Sequence, residues 1–119
     1  VYDALAPNRL TARARRALAG DDGPLAASDI SLWELAMLIA RGRLDPGADA
    51  IEFIQNVVDA RSIQVLAVTP KIAVLAQSDD FAHGDPADRI IAATAIAHGA
   101  ALVSADRQLA RAKGLRVIW

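Results

Sequence analysis

The stretch 83–109, HGDPADRIIAATAIAHGAALVSADRQL, decides the fold. It reads as loop, helix, turn, strand, turn and helix. Asp85-Pro86 opens the first helix, with an acid at the N-cap and a proline at the first helical position. Ile90, Ile91, Ala93, Thr94 and Ala97 recur at helical spacing and predict one broad apolar face. Gly99 ends the helix, because glycine adopts the left-handed conformation that closes a helix without strain. Residues 101–103 are apolar without alternation, as expected of a strand covered on both faces of a parallel sheet. Asp106 follows at once. Asp88 is therefore expected on a helix first turn and Asp106 just past a strand's carboxyl end. Ligands of open parallel sheets bind outside that edge.

Each acid also has an ordinary structural role. Asp88 complements a helix dipole, and Asp106 caps a helix over 107–112. The joint pattern says more. Asp85-Pro86-x-Asp88-Arg89-Ile90-Ile91-Ala92-Ala93, small residues leading to His98-Gly99, then Leu102-Val103-Ser104-Ala105-Asp106 resembles the second half of a PIN domain. Within that superfamily the run is most similar to the VapC toxins of bacterial toxin–antitoxin pairs.

Working outward, 119 residues suit one domain. Hydrophobic residues make up 54% and aromatics only 4%, so the core is aliphatic, alanine-rich and leaves apolar surface to spare. A net charge of -1 gives no global basic field, which argues against a pure nucleic-acid binder but not against a nuclease with an acidic centre. Without cysteine there is no disulfide, thiolate metal site or cysteine nucleophile. Neither a signal peptide nor an apolar run of spanning length is visible, so a cytoplasmic protein with no membrane association is expected.

Thr11 is a natural N-cap for a helix over 12–19, with Ala14, Ala17 and Leu18 inward. Arg9, Arg13, Arg15 and Arg16 form a basic cluster, read first as a solvated face and second as a contact for RNA phosphates. A short strand is expected at 25–27. Ser31 and Glu34 have the spacing of a capping box at the start of the next helix. The run Ser31-Leu32-Trp33-Glu34-Leu35-Ala36 also resembles the second acidic motif of the VapC family, which implies a metal-site acid at Glu34. From Ile30 to Ile39 this helix is apolar nearly all round, so either it is fully buried or its second face meets another chain. Gly42-Arg43-Leu44 is a further VapC-like feature. An amphipathic helix over 48–60 follows, with Ile51, Phe53, Ile54, Val57 and Val58 as its stripe. A strand at 64–68 and a helix over 70–77 capped by Thr69 complete the middle of the chain, and a last strand is expected at 116–118. Asp79 and Asp80 read as solvated loop acids, and His83 and His98 as a loop residue and a helix C-terminal cation, neither histidine having a partner at metal-ligand spacing.

Helices alternating with short aliphatic strands predict a three-layer α/β/α sandwich on a parallel sheet. The resemblance implies a single PIN domain over 1–119. Carboxylates gathered at one sheet edge repel one another and persist if some are protonated or a divalent cation lies among them. All-oxygen ligands select Mg²⁺ or Mn²⁺. Such an ion activates water and stabilises phosphoryl charge. Glu34, Asp88 and Asp106 are the expected catalytic and metal-holding acids. Asp85 and Ser104 are supporting residues. The resemblance implies an RNA substrate, a VapB-like antitoxin and an antitoxin groove between the helices at 30–40 and 48–60. The apolar helix itself predicts a homodimer.

One family acid is missing. It ends the first, central strand in a Leu-Asp-Thr type of motif, and Asp3 lies in a helical context that does not match. A further N-terminal strand ending in Asp, between the strands at 25–27 and 101–103, is therefore expected, the present chain being N-terminally incomplete. The competing reading is a non-catalytic PIN-like interaction module working through the surface around Trp33. A phosphate-binding Rossmann-type domain is disfavoured by the absence of a glycine-rich βα turn.

Overall fold

The computed structural model describes residues 11–19, 23–79, 85–104, 109, 112 and 114–119. The elements run α1 (Ala12–Leu18), β1 (Ala26–Ser28), α2 (Ile30–Ala40), α3 (Ala50–Ala60), β2 (Gln64–Leu66), α4 (Pro70–Leu75), α5 (Pro86–Ala97), β3 (Leu102–Val103) and β4 (Val117–Ile118). Every strand pair is parallel. Ala26, Ala27 and Ser28 face Gln64, Val65 and Leu66, while Leu102 and Val103 face Val117 and Ile118. Parallel neighbours require long crossovers, and α2 with α3 supplies the one between β1 and β2. The chain is a compact α/β domain of helices packed on short parallel strands. Among the described residues the strands form two two-stranded ladders, and β1 and β3 do not pair with each other.

Local chemistry explains most boundaries. Thr11 Oγ1 accepts from the Ala14 amide at 3.1 Å, and Thr69 Oγ1 accepts from the Ile72 amide at 3.2 Å. Gly99, at φ 62°, turns the chain out of α5 toward β3. One sequence expectation is corrected at α2. It starts at Ile30 rather than at a Ser31 cap, because Ser28 Oγ takes the Ile30 amide at 3.3 Å.

The core lies between α4, α5 and the β3–β4 ladder. Ile72, Ala76, Ala92, Ala93, Leu109 and Ala112 are buried there, with Ile90, Ile96, Leu102 and Val117 packed against them. The buried face of α5 is Ala87 and Ala92 to Ala95, and the isoleucines are only half-buried. Of the expected face, Ala93 and Thr94 are buried and Ile90 and Ala97 pack on the core, and the small residues Ala87, Ala92 and Ala95 are buried beside them. Thr94 is buried without cost because its hydroxyl donates to the Ile90 carbonyl at 2.7 Å. On α1, Ala14 and Ala17 are buried as the spacing predicts, and Leu18, also expected inward, is half-buried.

No residue of α2 is fully buried, and Trp33 is 59% exposed. The full-burial alternative for this apolar helix is therefore wrong for the isolated chain. No helix among the described residues is long and apolar enough to cross a membrane.

Candidate active site

Two helices build the site. α2 delivers Glu34, and its start is fixed from outside the helix. Asp29 is the N-cap position, yet its carboxylate does not cap α2. Oδ2 accepts instead from the Val68 amide at 3.3 Å, and the Asp29 amide donates to the Leu66 carbonyl at 2.9 Å. These bonds tie the start of α2 to the end of β2. With Asp29 at the cap, Ser31 is inside the helix, no capping box forms, and Glu34 falls beyond the first turn. The purely structural role expected for Glu34 is thereby removed.

α5 delivers the other acids. Asp85 is its N-cap, with Oδ1 accepting from the Ala87 amide at 2.9 Å. Pro86 takes the first helical position, and Asp88 lies half-buried in the first turn. α5 packs against both α2 and β1, and the charges of Asp88 and Asp85 at its start reach Glu34. Burial raises the Glu34 carboxyl above its ordinary value, and the Asp88 and then Asp85 charges raise it further. Three acids from two helices thus share one electrostatic environment.

A divalent cation suits that environment. The donors are all carboxylate oxygens, as Mg²⁺ and Mn²⁺ prefer, and a cation among them relieves both the burial and the repulsion at Glu34. Among the described residues, no three acids or histidines stand close enough to hold an ion by themselves. Asp106, expected as a further ligand, lies outside the described residues.

A PIN-domain family model matches residues 1–115. The chain belongs to the PIN-domain family.

Within that family the chain is VapC-like. It is 38% identical over 104 residues to Ribonuclease VapC22 of Mycobacterium tuberculosis, a match covering 87% of this chain and 78% of that protein. It also superposes on the crystal structure of VapBC2 from Rickettsia felis bound to a DNA fragment from their promoter. That match has a TM-score of 0.67 and 18% identity, and covers 87% of this chain and 80% of the other. At that identity the likeness establishes the PIN fold.

The remaining expected residues of this PIN domain fall as follows. Ser104 lies just past β3, half-buried, with its amide donating to the Ile118 carbonyl at 3.2 Å. His98 is the exposed C-cap position of α5, and Asp79 is exposed in a turn. Arg13, Arg15 and Arg16 are exposed on α1. Arg9, Asp80 and His83 lie outside the described residues, as does the helix expected over 107–112 except at Leu109 and Ala112. Sequence reasoning missed Asp29 and Arg89, both of which fix the site through backbone carbonyls or amides of distant elements. The one local signal for Arg89 is a cation placed directly after a helix-start acid.

Proposed function

We propose that this PIN domain is a metal-dependent endoribonuclease, the toxin of a toxin–antitoxin pair. The observation that carries the reading is the convergence of Glu34 from α2 with Asp88 and Asp85 from α5. Glu34 and Asp88 are both half-buried, and like charges brought together there suit a cation site. Glu34 and Asp88, with Asp106, would hold Mg²⁺ or Mn²⁺ directly or through water. When bound, the ion supplies an activated water and charge stabilisation at a phosphodiester. Asp85 keeps the acid-bearing turn helical, and Ser104 orients a ligand carboxylate or a water.

RNA as the substrate is supported by the ribonuclease named among the relatives. A VapB-like antitoxin is supported by the VapBC2 complex that shares the fold. We place that antitoxin against α2 and α3, where Trp33 and Ile51 are 59% and 79% exposed. A homodimer through α2 belongs to the same reading, as does a cytoplasmic location.

The exposed Trp33 equally favours a non-catalytic interaction module. Incubation of the protein with RNA, in Mg²⁺, in Mn²⁺ and in chelator, separates the two readings. The nuclease cuts with either ion and stops in chelator. An interaction module leaves the RNA intact in all three.

A further inference from the structure

Arg89 makes two bonds to the end of another helix. Its Nε donates to the Ala76 carbonyl at 2.9 Å, and its Nη2 donates to the Ser78 carbonyl at 3.2 Å. Ala76 is the C-cap of α4. The last carbonyls of a helix lack intrahelical partners and carry the negative end of its dipole. Here a guanidinium from α5 meets the C-cap carbonyl of Ala76 and the Ser78 carbonyl just beyond it.

The other end of this clamp lies in the acid-bearing turn. Arg89 follows Asp88 directly, and its own amide donates to the Asp85 carbonyl at 3.2 Å. Asp85 Oδ1 closes the same turn through the Ala87 amide. α4 in turn is anchored by Ile72, 1% exposed, and Ala76, 2% exposed. One side chain therefore ties the turn that carries Asp88 to a well-buried part of the core.

We infer that Arg89 is a positioning residue. Its clamp on the Ala76 and Ser78 carbonyls sets the place of Asp88 relative to Glu34, and so sets the cation affinity of the site. The inference rests on the metal-site reading above. It needs arginine rather than a positive charge alone. The planar fork presents two donors to two carbonyls at once, while a lysine ammonium on a flexible stem does not reproduce that geometry.

Mn²⁺ binding followed by electron paramagnetic resonance tests this without an activity readout. Wild type, Arg89→Gln, Arg89→Lys and Ile72→Val are compared, the last being a control that loosens the α4 core without touching the clamp. Arg89→Gln is expected to weaken Mn²⁺ binding about tenfold to a hundredfold, as loss of an orienting partner does at metal sites. Arg89→Lys falls between it and wild type, and Ile72→Val binds as wild type does. If Arg89→Gln melts at a lower temperature yet binds Mn²⁺ like wild type, the clamp serves stability alone and the inference is overturned. Should Arg89→Gln not fold, Arg89→Lys decides: weakened binding supports the inference and wild-type binding overturns it. A wild type that binds no Mn²⁺ overturns the metal-site reading itself and takes this inference with it.

Discussion

The Asp88 charge on α5 raises the cost of ionising Glu34 on α2. After burial, the Asp88 charge is the largest influence lifting the Glu34 carboxyl above its ordinary value. A carboxyl whose folded value is raised contributes stability below its unfolded value and loses that contribution as pH rises through the folded one. The metal-free protein should therefore lose stability as pH climbs from the acid range through the Glu34 titration. Glu34→Gln should lack this component and, at neutral pH without metal, be more stable by up to about 1 kcal/mol, the size of a half-screened charge interaction. Thermal melts of both proteins across pH, in chelator, read the difference. Added Mg²⁺ should raise the melting temperature of wild type but not of Glu34→Gln. A Glu34→Gln protein less stable than wild type at neutral pH would show that Glu34 makes a favourable structural contact instead.

Asp85 serves as a cap and also contributes charge, and two substitutions separate the roles. Asp85→Ala should cost about 1 kcal/mol, the usual loss for an N-cap. Asp85→Ser keeps an oxygen for the Ala87 amide and should restore that stability in urea titrations. Cleavage by Asp85→Ser should nevertheless stay several-fold below wild type, because the Asp85 charge also reaches Glu34. Full recovery of cleavage would reduce Asp85 to a cap alone.

Ile72 is the largest fully buried side chain among the described residues, in a core otherwise rich in alanine. Ile72→Ala should destabilise by about 2–5 kcal/mol through lost burial and a residual cavity. Ala92→Leu should cost about 1–3 kcal/mol for the opposite reason, since α5 has no room there for a longer side chain. Chemical denaturation measures both. A cost near zero for Ala92→Leu would mean that α5 is loosely packed.

Trp33 tests association. A helix as apolar as α2, with no fully buried residue and an exposed tryptophan, predicts a dimer in sedimentation velocity. Trp33→Glu should shift the protein to monomer with its helical circular dichroism intact. A wild-type monomer at all concentrations would remove the homodimer and leave the surface to an antitoxin alone.

Features set by contiguous residues were the legible ones. Thr11, Thr69 and Asp85 cap their helices with their own side chains, and each was readable from a polar residue placed before an apolar run. The convergence of Glu34 with Asp88 was legible only through family motifs, because spacing within one helix says nothing about the distance to another. The start of α2 was misread since the Ser31–Glu34 pattern is local, while Ser28 and Asp29 fix that start, Asp29 through bonds to the end of β2. Tertiary contact overrode local preference there. The inward face of α5 was legible at Ala93 and Thr94, which are buried, and at Ile90 and Ala97, which pack on the core, while the buried Ala87, Ala92 and Ala95 were not expected because hydrophobic periodicity weights isoleucine over alanine. Arg89 gave almost no signal, as its partners are backbone carbonyls, which every residue carries.

The most direct measurement is RNA cleavage by Asp88→Asn beside wild type in saturating Mg²⁺, with circular dichroism to certify the fold. Asparagine keeps the shape of the side chain and removes the charge that holds a cation. The variant should fold and its cleavage should fall by about a hundredfold or more, the scale of losing a key electrostatic group in an active site. A folded Asp88→Asn protein that cuts RNA at the wild-type rate would contradict the metal-site reading, leaving Asp88 as an acid that merely complements the dipole of α5.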